Sequence, residues 1–140
     1  MSSSLFEFAD QNEIFVEYKN IPANKSLSTE VFEKGFVALD YSLLFNHAEE
    51  NTHLAHELGH CATGSFYKPY SKLDIRGRHE YRANKWAVHK LIPFAELQRA
   101  FSEGVVERWE LAERFAVTED FIETAVGVYQ NEGLLENKID

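Results

Sequence analysis

The sequence predicts an α+β domain, a small N-terminal β-sheet followed by helices, and three observations carry that prediction. Apolar residues, some of them β-branched or aromatic, dominate two short segments, residues 13–18 and 35–40, that read as strands. From about residue 48 the apolar residues recur at the three-and-four spacing of amphipathic helices. No internal repeat, low-complexity stretch or Pro/Gly/Ser-rich linker separates the two regions. A length of 140 residues suits one core, so residues 1–140 read as a single domain.

The first strand, residues 13–18, stops before the turn-prone Asn20-Ile21-Pro22-Ala23-Asn24. The second, residues 35–40, offers an edge along which an extended peptide could lie. The helix that starts near residue 48 carries His53, His56 and His60. Gly59 inside it costs about 1 kcal/mol against alanine, which a close neighbouring backbone would explain. Residues 63–77 read as a loop, with Gly64, Pro69 and Gly77 as breakers. Residues 78–92 form a second helix. Glu80, Ala83, Asn84, Ala87 and Leu91 share its inward face, and Arg78, Arg82, Lys85 and His89 share a solvated one. After Pro93 come three short helices, at about residues 94–102, 105–116 and 118–129. Residues 111–122 have a helix-turn-helix look, but the second helix carries Glu119, Asp120 and Glu123 and no Lys or Arg through Tyr129. Such a helix repels phosphates, and the expected role of the pair is packing on the core.

His56-Glu57-Leu58-Gly59-His60 spells H-E-x-x-H. Residues four apart on a helix lie on one face, so His56 and His60 can offer two imidazole nitrogens to a single metal ion. Glu57 sits one step round, able to reach water at that ion but poorly placed to join the coordination set. Two ligands and a base make most of a hydrolytic site, and such a site takes a third protein ligand. Extended motifs place Gly and His three and six residues after the second His; this chain has Thr63 and Phe66 there. Cys61 directly follows His60 and is turned about 100° away. An acid on the second helix remains. Glu80 lies on the face marked as inward by Ala83 and Ala87, where a carboxylate needs a partner. His79 is a rival ligand on a different side of the same helix. Asn84 could hydrogen-bond a metal-binding imidazole from behind. His53 could line the cleft, Tyr67 and Tyr70 could reach an oxyanion, and His47 and His89 read as solvated.

H-E-L-G-H followed about twenty residues later by Glu80-Tyr81-Arg82-Ala83-Asn84-Lys85-Trp86-Ala87 resembles the ImmA/IrrE family of metallopeptidases. The usual family pattern is H-E-L-G-H and then E-x-x-A-N-x-F-A, and here Trp86 takes the aromatic place. The resemblance covers residues 13–92 as a catalytic core and extends more loosely over the helices of residues 93–130. It implies a compact zincin-like fold, Zn²⁺ held by His56, His60 and Glu80, and Glu57 as general base. It also implies a cytoplasmic, site-specific endopeptidase. Members of the family often cut a transcriptional repressor, commonly one encoded beside them in a phage or mobile element. The residues themselves leave Mn²⁺ or Fe²⁺ open beside zinc. They also leave open a metal-dependent module that binds a repressor without cutting it, although such a module has no need of Glu57.

Composition sets further bounds. A net charge of −9 argues against direct nucleic-acid binding, which relies on Lys and Arg to neutralise phosphates. Met1-Ser2-Ser3-Ser4 has neither a basic region nor a long apolar run, so no secretory signal is expected. No stretch approaches the roughly 20 apolar residues of a membrane span. One cysteine permits no internal disulfide, consistent with a reducing cytoplasm.

Overall fold

The computed structural model describes residues 3–68 and 70–136; Met1, Ser2 and Pro69, named above, lie outside them. Helix α1 (Ser3–Gln11) precedes the sheet, which comprises β1 (Phe15–Lys19), β2 (Ser26–Val31) and β3 (Lys34–Asp40). A 3₁₀ turn (Tyr41–Phe45) leads to α2 (His47–Thr63) and α3 (Leu73–Leu91), and then to α4 (Phe94–Ser102), α5 (Arg108–Phe115) and α6 (Glu119–Asn131). The α+β architecture is as the sequence predicts.

The sheet differs from the expectation in one way that matters for the site. Its order is β1-β3-β2, with β1 parallel and β2 antiparallel to β3. Residues 35–40 are therefore the central strand, not an exposed edge. The two edges are β1 and β2, and the sequence reading missed β2. Its hairpin to β3 turns on Phe32 and Glu33, with φ of 51° and 65°. Positive φ at both central positions is the type I′ form of a two-residue hairpin loop, which favours Asn and Gly. No Gly or Asn marks the turn here, so the usual signal is absent.

The register of β2 determines which backbone groups are free. The Asp40 amide donates to the Lys25 carbonyl (2.7 Å), so the Lys25–Asp40 pair is a hydrogen-bonded one. Such pairs alternate along an antiparallel ladder. Leu27 and Thr29 therefore also face β3, and Ser26, Ser28 and Glu30 turn their N–H and C=O groups to the free edge.

Helix α2 begins at a strong cap: the Asn46 side chain accepts from the Glu49 amide at 3.1 Å, and Glu49 and Glu50 complement the positive end of the helix. It ends at Gly64, whose φ of 65° gives the left-handed C-cap that glycine tolerates best. Helix α3 starts at Leu73, five residues earlier than predicted. Gly77 lies inside it, and open space surrounds that glycine. The α4 bounds match the prediction, whereas α5 starts at Arg108 rather than 105, after Gly104 (φ 85°) turns the chain.

One apolar cluster joins the sheet and helices. Leu54 and Leu58 of α2, Ala87 and Val88 of α3, and Phe121, Ala125 and Tyr129 of α6 meet Val37 and Leu39 of β3 and Leu5 of α1. Tyr129 is fully buried and satisfies its hydroxyl on the Ile92 carbonyl at 2.7 Å. Trp86 packs against Phe8 of α1, their ring centroids 4.9 Å apart. Behind α2, Asn51 donates to the Ala116 carbonyl (2.9 Å) and Thr52 accepts from the Thr118 amide (3.2 Å). The α5–α6 pair packs on the core through Leu111, Ala112, Phe121 and Ile122, and Arg108 pairs outward with Glu119 and Glu123. Among the described residues no helix is long and apolar enough to cross a membrane.

Candidate metal centre

Helix α2 places His56 and His60 one turn apart, and α3 brings Glu80 against both. His56 Nε2 lies 3.0 Å from Glu80 Oε1, and His60 Nε2 lies 3.1 Å from Glu80 Oε2. The two Nε2 atoms are 3.2 Å apart. A tetrahedral ion with ligands at about 2.05 Å has ligand–ligand edges near 3.3 Å, so the spacing suits one small divalent cation.

The far side of each imidazole supports the same conclusion. His56 Nδ1 is 2.7 Å from Asn84 Oδ1, and His60 Nδ1 is 2.7 Å from the Ser65 carbonyl oxygen. A carbonyl oxygen only accepts, so His60 carries its proton on Nδ1, and the Asn84 oxygen sets the same tautomer for His56. Each Nε2 is left with its lone pair aimed at Glu80. Three electron-pair donors facing one point, with no proton left between the rings and the carboxylate, is an arrangement that a cation resolves. Contact with His56 and His60 holds the Glu80 carboxyl far below the usual carboxylate range despite its partial burial, so it meets them as a carboxylate. Burial works to lower the His56 pKa, but Glu80, Glu57 and Asn84 outweigh it and raise it.

The helices can approach this closely because of Gly59. A Cβ there would lie 2.4 Å from the Ala83 carbonyl oxygen of α3. This is the neighbouring backbone that a glycine inside the helix implied.

Glu57 is buried at 7 % exposure, yet its partners are hydroxyls rather than a cation. Ser26 Oγ donates to Oε2 at 2.8 Å and Ser28 Oγ donates to Oε1 at 2.6 Å. A serine hydroxyl has one proton. Ser26, having given its proton to Glu57, accepts from His53 Nδ1 at 2.8 Å. His53 lines a hollow adjoining the metal donors, and burial lowers its pKa. Ser26 and Ser28 were not singled out in the sequence. The available signal was a polar i, i+2 pair at 26 and 28, which would face one side of a strand.

Both serines, the three donors, Glu57, Tyr67 and Arg76 line one cleft of about 520 Å³. The other sequence candidates lie elsewhere. His79 is not one of the converging donors; its ring stacks on Tyr67 with centroids 6.2 Å apart, and its buried Nδ1 has no hydrogen-bond partner. Cys61 packs near Gly35, and burial pushes its thiol up to about 12. Tyr70 is exposed. His89 is not simply solvated, because it pairs with Glu132 at 2.7 Å.

A helix-borne H-E-x-x-H joined to a glutamate on the following helix, beneath a small sheet with a free edge strand, defines a metallopeptidase-like domain. The chain belongs to the peptidase M78 family, matching its IrrE N-terminal-like domain over residues 9–126. That span takes in α5 and most of α6 as well as the metal helices. No curated protein and no solved structure matches the chain.

Proposed function

We propose that this protein is a zinc-dependent endopeptidase that cuts a specific protein inside the cell. The observation that carries this reading is Glu57. It is a buried carboxylate beside three converging metal donors, with both oxygens held by serine hydroxyls from the edge strand. A metal site that only held structure or a partner would have no use for it.

His56, His60 and Glu80 would hold the ion, with Asn84 and the Ser65 carbonyl fixing the imidazoles. The bound ion supplies Lewis acidity, acidifying water and polarising a carbonyl. Glu57 takes the proton from the attacking water and delivers it to the departing amine nitrogen. Ser26 and Ser28 keep its carboxylate in one orientation through both transfers. The substrate backbone lies along β2, pairing with the outward N–H and C=O groups of Ser26, Ser28 and Glu30, in place of the 35–40 strand expected from the sequence. The family resemblance favours a transcriptional repressor as the protein cut. A shallow cleft on a small domain favours an exposed loop of one partner over arbitrary peptides.

Glu57→Gln tests the reading. The zinc-loaded variant and the parent are each incubated with a cell extract, and new peptide N-termini are catalogued by mass spectrometry. Discrete new termini are expected with the parent and none with the variant, at equal zinc content. Equal biological effect from both proteins would instead favour the non-catalytic metal-binding module.

A further inference from the structure

The mechanism above leaves Arg76 unused. It stands one helical turn before Glu80 on α3 and lines the same cleft as the metal donors. Apart from histidines, it is the only basic side chain lining that cleft among the described residues. At that spacing it could have paired with Glu80. Glu80 instead faces His56 and His60, and among the described residues Arg76 forms no ion pair.

Tyr67 accounts for the separation. The Arg76 guanidinium lies over its ring, 5.4 Å from the centroid, and the phenol interacts with both Glu80 and Arg76. His79 stacks on the same ring (interplanar angle 16°). The tyrosine is a spacer that keeps the guanidinium off the metal ligand and beside the cleft. Stacking leaves most of the five guanidinium N–H donors free, in a fork that matches a carboxylate.

The cleft does not end at the metal donors. Past His56 and Glu57 it continues into a second hollow of about 340 Å³ lined by Thr52, His53, Asn84 and Thr118. A peptide can therefore run through, so a carboxylate at Arg76 belongs to a side chain rather than to a chain end. The surrounding protein carries a net charge of −9, which disfavours acidic peptides elsewhere on the surface and confines the attraction to this point.

We propose that Arg76, steadied by Tyr67, forms a specificity subsite that binds an Asp or Glu side chain of a peptide lying along β2. The placement of the peptide rests on the endopeptidase reading; the carboxylate preference rests on Arg76.

The test uses zinc-loaded Glu57→Gln protein, immobilised and equilibrated with a randomised peptide library whose C-termini are amidated. Retained peptides should be enriched in Asp or Glu at one position by about ten- to a hundredfold, the range for a hydrogen-bonded charged group. Adding Arg76→Glu should invert the preference to Lys or Arg, and Arg76→Lys should keep a weakened acidic preference. No retention, no acidic enrichment, or enrichment unchanged by Arg76→Glu would overturn the subsite. Retention seen only when the same library is offered with free C-terminal carboxylates in place of the amides would assign Arg76 to a chain end and overturn the side-chain assignment. The same library offered to protein with Glu57 intact judges the endopeptidase reading separately. Arg76-dependent retention without any cleavage would remove the enzyme and leave the subsite.

Discussion

Replacing Gly59 by alanine should weaken both the fold and the metal site, although alanine is the better helix former by about 1 kcal/mol. The new Cβ would sit 2.4 Å from the Ala83 carbonyl oxygen, whereas real contacts essentially never fall below 3.0 Å and ordinary contact begins at 3.4 Å. The α2 and α3 backbones must then part by about 0.6–1.0 Å, because no side chain is there to rotate away. Overpacking of this kind costs about 1–3 kcal/mol, and a backbone clash belongs at the upper end. A net loss of about 2 kcal/mol should lower the melting temperature by roughly 6–8 °C. Glu80 lies three residues before Ala83 and travels with it, while metal–ligand distances tolerate only about 0.2 Å. Zinc affinity, read by competition with a chromogenic chelator, should fall at least about tenfold. Melting is followed by circular dichroism with and without EDTA. An alanine variant that melts no lower than the parent and binds zinc as tightly would refute the argument that this contact sets the spacing of the site.

Asn84→Ala removes the acceptor behind His56 and should weaken zinc binding about ten- to a hundredfold in the same titration, with little change in secondary structure. The double change Ser26→Ala, Ser28→Ala strips Glu57 of both donors. It should leave zinc affinity within about twofold and lower the rate of library-peptide cleavage about tenfold or more, as expected for a misaligned proton carrier. Cys61 should resist iodoacetamide at pH 8.5 in the folded protein and react about 10³-fold faster once unfolded, since burial moves its thiol from 9.0 to about 12. The sign follows from proton uptake: between pH 9 and 12 the folded chain holds a proton that the unfolded chain has released, so stability attributable to this thiol is intact below pH 9 and declines across that window.

The metal helices were legible because helical periodicity is local and fixed. Four-residue spacing places His56 over His60, and the small residues Ala83 and Ala87 mark the face that carries Glu80 and Asn84. The sheet was less legible. Strand β2 turns Ser26 and Ser28 inward, and their partner is a carboxylate 29 to 31 residues away rather than an apolar core, so no apolar alternation announces the strand. Once β2 is missed, β3 is taken for an edge. Gly77 was read as a break because composition does not tell a glycine in open space from one that ends a helix. Arg76 and Tyr67 acquire their relation only when Tyr67, which follows α2, is brought against α3, a contact that no local pattern encodes.

The serines that grip Glu57 belong to the strand whose outer rim is open for a visiting chain. Under the endopeptidase proposal, capture and alignment become mechanically one event: a guest that pairs well along Ser26 and Ser28 would stiffen the ribbon that aims the proposed proton carrier. A guest that pairs badly leaves that ribbon slack. Discrimination between partners would then appear in turnover more than in occupancy, so a survey of tight binders alone would underestimate how selective such an arrangement is.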